Sequence, residues 1–272
     1  MKKIIVQKYG GTSVANPEKI KNVAKRVAEC KREGNHVVVV VSALGDTTDK
    51  LVELAGCMSK NPQEREMDML LSTGEQVSVA LLAMALHELG VEAISFTGAQ
   101  IGIITDSSYT KAKIIDIGTD KIRKHLSKGK IVIIAGFQGT DLKQEITTLG
   151  RGGSDMTAVA LAKVLKAEMC EIYTDVKGVY TADPRIVPDA RKLSSISYEE
   201  MLEMASLGAQ VMQARSMEVA GKFNVPMHIR SSFYKEKGTL ITKEGRAMED
   251  VLVRGVTVNK DEAKVTICDV PD

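Results

Sequence analysis

Four short segments of the chain combine glycine, hydroxyl and charged residues directly after, or leading into, regular elements. The first, Lys8-Tyr9-Gly10-Gly11-Thr12-Ser13, follows the β-branched run Ile4 to Val6. Paired glycines let backbone N–H groups approach an anion closely, the hydroxyls add donors, and Lys8 supplies a point charge. A plain strand-to-helix turn would explain the glycines but not the lysine beside them. The second segment, Ser42-Ala43-Leu44-Gly45-Asp46-Thr47-Thr48-Asp49, suits a substrate or phosphate and equally suits ordinary capping of a helix from Lys50. The third, Gly150-Arg151-Gly152-Gly153-Ser154-Asp155, opens a helical pattern through Leu165. An arginine fork and free N–H groups at a helix start select carboxylate or phosphate. Capping by Ser154 or Asp155 would account for neither Arg151 nor three glycines. The fourth, Thr174-Asp175-Val176-Lys177-Gly178-Val179-Tyr180, runs on to Asp183-Pro184-Arg185. Its Asp, Tyr and Arg could line a nucleotide pocket, although Asp-Pro alone marks a turn.

Such loops need a scaffold, and the chain supplies one. Short β-branched runs at Ile4 to Val6, Val37 to Val41, Ala93 to Phe96, Ile131 to Ala135, Cys170 to Thr174 and Met227 to Ile229 read as buried strands. Between them, Ile20, Val23, Ala24 and Val27 recur at helical spacing behind Asn16-Pro17, with Gly34 as the stop. Glu75 to Leu89, Lys121 to Leu126, Asp155 to Leu165 and Tyr198 to Ala205 read as further helices. Continuous Val/Ile strands alternating with helices predict an α/β protein, a three-layer α/β/α sandwich around a mainly parallel sheet. The four loops then lie where open α/β sheets bind ligands, beyond the carboxyl ends of strands. Ile103 to Ile115 and Phe137 to Thr148 alternate weakly around polar turns and suit a β-hairpin over a sheet edge or a ligand. Polar Lys243 to Asp250 reads as a linker, with a boundary near residue 246. Val251 to Val258 and Ala263 to Ile267 then open a second module that is expected to be incomplete.

Composition removes other classes. In 272 residues, 44% are hydrophobic and 4% aromatic, and the net charge of +2 with so few aromatic platforms argues against nucleic acid as the main partner. Cys30, Cys57, Cys170 and Cys268 form no C-x-x-C pair and read as reduced core thiols rather than a zinc site. The N-terminal apolar run is broken at Gln7 and Lys8, which excludes a signal peptide. No run of about 18 apolar residues is found. A cytoplasmic protein with no membrane partner is expected. Walker, H-E-x-x-H, G-x-S-x-G and H-R-D signatures are absent. The methionines around Met67, Met69, Met201 and Met204 read as core filling.

Lys8-Tyr9-Gly10-Gly11-Thr12-Ser13-Val14, Leu71-Ser72-Thr73-Gly74-Glu75, Gly150-Arg151-Gly152-Gly153-Ser154-Asp155 and Tyr173-Thr174-Asp175-Val176-Lys177-Gly178-Val179 together resemble the signature motifs of the aspartate kinase (aspartokinase) family. The resemblance covers residues 2 to 246, and the tail from Val251 is similar to the first strands of a regulatory ACT region. It implies the amino-acid kinase fold, a catalytic domain over 1–246, and the opening of an ACT domain over 247–272. It also implies a homodimer and phosphorylation of L-aspartate by ATP with Mg2+, giving 4-phospho-L-aspartate for lysine, threonine and methionine biosynthesis. By the same resemblance, Lys8 meets the transferred phosphoryl over the Gly10-Gly11 backbone, and Asp155 organises Lys8 and the metal-bound phosphates. Arg151 forks onto the α-carboxylate and Glu75 meets the α-ammonium, with Thr48 and Ser154 as hydrogen-bond partners. Ser42, Thr174, Asp175, Tyr180 and Arg185 match positions around the nucleotide. A carboxylate acceptor with a pKa of about 3.9 is already ionised and needs no general base. Gln210 departs from the lysine that many relatives carry, which weakens one expected ATP contact. Two alternatives stand beside this reading: a related kinase acting on acetylglutamate, glutamate or UMP, and a non-catalytic amino-acid or nucleotide sensor.

Overall fold

Runs of valine and isoleucine build the centre of the molecule, as their composition requires. The computed structural model describes residues 2–208, 211–243 and 255–257. Its first half contains β1 (Ile4–Tyr9), α1 (Pro17–Arg32), β2 (His36–Val41), α2 (Thr47–Met58), α3 (Glu64–Leu71), α4 (Thr73–Glu88), β3 (Ala93–Phe96), α5 (Gly98–Ile101), β4 (Ile103–Thr105), β5 (Ile114–Ile117), α6 (Asp120–Ser127) and β6 (Ile131–Ala135). There follow β7 (Gln138–Thr140), β8 (Ile146–Thr148), α7 (Gly153–Leu165), β9 (Met169–Thr174), β10 (Ser195–Ser197), α8 (Tyr198–Ser206), α9 (Ala214–Phe223), β11 (Met227–Ser231) and β12 (Thr239–Thr242).

One sheet of eight strands runs in the order β10-β12-β11-β9-β1-β2-β6-β3. Every pairing in it is parallel except β11 with β12. The all-valine strand explains the layering. Val37, Val39 and Val41 pack with α1 and α4 on one face, while Val38 and Val40 pack with α6, α7 and α9 on the other. Both faces of β2 are thus covered, which is why it alternates in neither hydrophobicity nor polarity. This is the three-layer α/β/α sandwich expected from the sequence. Helix α1 starts where Asn16 accepts a hydrogen bond from the Lys19 amide ahead of Pro17, and the chain turns at Gly34 with φ +92°.

The two weakly alternating segments each form an antiparallel pair, β4 with β5 and β7 with β8. A parallel contact between Ile104 and Thr140 joins them into one small four-stranded sheet.

Several expectations shift. Strand β1 extends through Lys8 to Tyr9, because β2 and β9 pair it on both sides to its end. Helix α2 begins at Thr47 rather than Lys50, which puts Thr48 and Asp49 on its first turn. Helices α3 and α9 and strand β12 were not anticipated. Met201 is core, but Met69 is exposed on α3. Cys30 and Cys170 are buried thiols, whereas Cys57 is exposed. The α3–α4 stretch Glu64–Glu88 is long and apolar enough by composition to cross a membrane, with mean hydropathy 1.5. Half of it is buried, and Val79, Leu82, Ala83 and Leu86 pack into the core beside α1. The boundary near 246, Gln210, Cys268 and most of the expected tail strands lie outside the described residues. Of the tail, the Val256 amide donates to the Thr181 carbonyl.

Candidate active site

The period of β1 decides where its lysine points. Val6 packs into the core on the α7 side and Tyr9 into the opposite core, so Lys8 emerges on the α7 side. There its Nζ lies 2.7 Å from Oδ1 of Asp155, with the two side chains 13% and 11% exposed. Helix α7 begins after Gly150 and Gly152, at φ +74° and +69°, and no side chain caps it. Asp155 is therefore not the helix cap that the sequence also permitted. Gly152 is required for a second reason, since a Cβ there would come within 2.1 Å of the Gln213 side chain. A nearly buried ion pair spends much of its Coulomb attraction on desolvation. The Lys8–Asp155 pair is thus poor at adding stability and well suited to holding a cation in one place.

Lys8 and Asp155 share an open cavity of about 470 Å³ with Ser42, Thr48, Glu75, Arg151 and Ser154. Seven of the residues assigned from sequence therefore meet in one space. Glu75, on the first turn of α4, is buried at 3% exposure, and its Oε1 accepts from the Ala43 amide at 3.1 Å. Its Oε2 is buried without a hydrogen-bond partner among the described residues. Burial pushes the carboxyl up to about 7, against the smaller opposing effect of backbone hydrogen bonds. Arg151 is exposed and forms no ion pair among the described residues. One cavity thus holds a cationic fork and an acid oxygen, neither neutralised from within. Asp49, Thr110, Phe137 and Thr148 also line it. Sequence reasoning named none of these four as a site residue, although Asp49 closes the second loop segment and Thr110, Phe137 and Thr148 lie in the segments read as hairpins over a sheet edge or a ligand.

The remaining assigned residues sit along the same end of the sheet, outside this cavity. The Gly10 amide donates to the Tyr173 carbonyl, and a Cβ on Gly10 would lie 3.5 Å from the Lys8 ammonium. Gly11 serves loop packing, because a Cβ there would meet the Gly45 and Ala43 carbonyls at 2.9 and 3.0 Å. Thr174 ends β9 and its hydroxyl donates to Asp175. Tyr180 and Arg185 lie in the long segment before β10, where the Arg185 guanidinium forks onto Asp183 at 2.8–3.2 Å. Behind β1 and β9, Tyr9 and Tyr173 stack at 4.6 Å, and the Tyr173 hydroxyl and the Gln7 amide donate to Glu171. Arg230 completes this array with a 2.7 Å ion pair to Glu171.

Among the described residues no cluster of three or more His, Cys, Asp or Glu could hold a metal ion by itself. Asp155 at the cavity and Asp175 just after β9 are hard oxygen donors of the kind a magnesium ion takes.

The model of the amino acid kinase family matches residues 3–231. The aspartokinase of Bacillus sp. (strain MGA3) is 57% identical over 269 residues, covering 99% of this chain and 66% of that protein. The chain thus spans just under two thirds of that relative's length. The crystal structure of aspartate kinase from Synechocystis is 52% identical with a TM-score of 0.80, over 89% of this chain and 40% of that one. That of E. coli aspartokinase III in complex with aspartate and ADP is 28% identical with a TM-score of 0.82, over 89% and 65%.

Proposed function

The chain belongs to the amino acid kinase family, and on that premise we propose that it transfers the γ-phosphoryl group of ATP to the side-chain carboxylate of L-aspartate. The observation that carries this reading is the single cavity in which Lys8–Asp155 faces an unpaired Arg151 and a partnerless Glu75 oxygen. An α-amino acid presents the complementary charges, a carboxylate for Arg151 and an ammonium for Glu75. Its side-chain carboxylate then turns toward Lys8. The 57% identity to an aspartokinase and the likeness to a structure holding aspartate and ADP support the same acceptor.

In the reaction, a carboxylate oxygen forms a bond to the γ-phosphorus as the bond to the β-phosphate oxygen breaks, giving 4-phospho-L-aspartate and ADP. The acceptor is already ionised, so the obstacle is repulsion between anions, and catalysis rests on positioning and charge stabilisation. Lys8, fixed by Asp155, supplies the cation at the transferred group. The amides at the start of α7, a helix of 13 residues, add donors of fixed direction. A magnesium ion carried with ATP would spread the charge of its phosphates, and Asp155 or Asp175 would hold it. Thr48 and Ser154 bond the amino acid, while Ser42, Thr174, Asp175, Tyr180 and Arg185 surround the nucleotide. A catalytic domain over 1–246, an ACT region opening at 247, a cytoplasmic location and a homodimer belong to the same proposal.

An ATP-dependent assay that traps acyl phosphate with hydroxylamine tests the reading, with L-aspartate, L-glutamate, N-acetylglutamate and no acceptor in parallel. Hydroxamate with aspartate alone is expected. Product only with another acceptor reassigns the substrate within the family. No product from a folded sample that binds MgATP overturns the reading for this chain and favours a sensor or a catalytic unit that needs a further module.

A further inference from the structure

Asp68 lies on α3, outside the cavity, yet it is fully buried and pairs with no cation among the described residues. Its carboxylate instead collects four hydrogen bonds. The Thr110 amide donates to both oxygens at 3.1 and 3.0 Å, the Thr148 amide to Oδ2 at 2.9 Å, and the Thr148 hydroxyl to Oδ1 at 2.6 Å. Thr110 sits at φ +64°, a conformation that a threonine adopts only when its surroundings dictate it. Both threonines line the cavity, and Thr148 is two residues before the Gly150-Arg151-Gly152 loop. From the other direction, Arg215 on α9 donates to the Leu149 and Ala112 carbonyls, at 2.8 Å each. The two threonine segments are themselves joined by the Ala112 amide, which donates to the Thr148 carbonyl at 2.9 Å. A carboxylate thus grips the amides and a guanidinium the carbonyls of one backbone platform, and that platform ends in the Arg151 loop.

We propose that Asp68 and Arg215 are positioning residues for the acceptor site, clamping the 110–112 and 148–149 backbone so that Arg151 meets the substrate carboxylate. The inference rests on the reading of the cavity as an acceptor site. Burying a carboxylate without a cation is costly unless its hydrogen bonds are complete. Asp68 meets that condition only while the loop stays in place. The clamp therefore acts on acceptor binding and leaves the nucleotide loops alone.

The test is Asp68→Asn in this chain, with Arg215→Lys as the second variant and Arg65→Ala as control. An asparagine keeps the shape but turns an N–H group toward one of the donating amides. A lysine reaches one of the two carbonyls. Arg65 joins the same α3 to Glu145 beside β8, at 2.7 Å through a half-exposed pair. Asp68→Asn is expected to raise the KM of the acceptor about tenfold while the ATP KM stays within about twofold, and Arg215→Lys to do the same more weakly. Arg65→Ala should change neither. Amide exchange should quicken at Thr110 and Thr148 and be unchanged at Lys8 to Gly11. An unchanged acceptor KM in folded variants, or a parallel rise of both KM values with a lowered melting temperature, would overturn the proposal. If wild type turns over a different acceptor, the substrate reading fails and the clamp is judged with that acceptor. If it turns over none, the exchange pattern decides, and a uniform or absent change overturns the clamp.

Discussion

Two arginines at the same end of the sheet are treated in opposite ways. Among the described residues, Arg151 stands at the cavity with no internal carboxylate, and Glu75 in the same space keeps one buried oxygen unbonded. Arg185, in the irregular segment before β10, is forked onto Asp183 in its own turn. The first region is built from the ends of regular elements, β1, α4 and α7, and holds opposite charges apart. The second satisfies its charges locally. A fixed site leaves unpaired what its ligand must complete, and a zwitterionic amino acid completes both groups at once. A self-paired loop has to exchange one partner for another, so it contributes less binding and no geometric selection.

The sharpest way to break this contrast is to remove the fixed cation. Lys8→Ala and Asp155→Ala should each lower kcat at least about a hundredfold with the fold retained, because the charge they hold acts where negative charge gathers in the transition state. Hydroxamate formation with circular dichroism as the folding check measures it. Near-normal turnover in either variant removes the pair from the mechanism. Next in size, Glu75→Gln should raise the aspartate KM roughly thirtyfold, the range of a lost charge-assisted hydrogen bond, with kcat and the ATP KM little altered. Equal loss for both substrates would mean that Glu75 shapes the α2–α4 region generally instead of reading the ammonium.

How much of this was legible follows from the range of each interaction. The strands could be read because β-branched runs covered on both faces carry their burial in composition, as in Val37 to Val41. Lys8, Arg151 and Asp155 could be singled out because glycines beside charges are hard to explain as turns. Their pairing could not be read from composition or spacing, since residues 8 and 155 meet only through the register of β1 beside α7. Asp68 gave no signal at all: the third acid on a short amphipathic helix looks like solvent-facing filler. Gly11 carries a constraint beside its phosphate-loop appearance that spacing alone could not show, the close approach of two loops. Helix α9 escaped because its pattern is short and its chief contribution, Arg215, acts on carbonyls far away in sequence.

The carboxyl of Glu75 sharpens the comparison through pH. Its value in the folded protein, about 7, is raised from the ordinary 4.5 chiefly by burial. The folded state therefore binds more protons than the unfolded state between these values, and stability falls as pH rises through that window. The loss attributable to this group is on the order of 3 kcal/mol, complete once pH exceeds the folded value. Thermal melts from pH 5 to 8 should show wild type losing stability relative to Glu75→Gln across that range. Binding runs the other way, because only the ionised form attracts an ammonium. The aspartate KM should fall about tenfold from pH 6 to pH 8, with the ATP KM flat. A flat aspartate profile would mean that Glu75 is already ionised and held by another group.

The smallest effect belongs to the self-paired side. Asp183 accepts from the Arg185 amide at 2.9 Å as well as from its guanidinium, so it both shapes the turn and occupies the charge. An exposed pair of this kind is weak and screened by salt. Phosphate oxygens can displace Asp183 at little cost, but Arg185 gains only the difference between two similar partners. Arg185→Ala should therefore raise the ATP KM by only about threefold, more at low salt than at high, and leave the aspartate KM untouched. Asp183→Asn retains a side-chain oxygen for the turn while freeing the guanidinium, and should lower the ATP KM slightly. A loss of tenfold or more on Arg185→Ala, or any change in the aspartate KM, would make Arg185 a fixed-site residue like Arg151 and erase the distinction between the two regions.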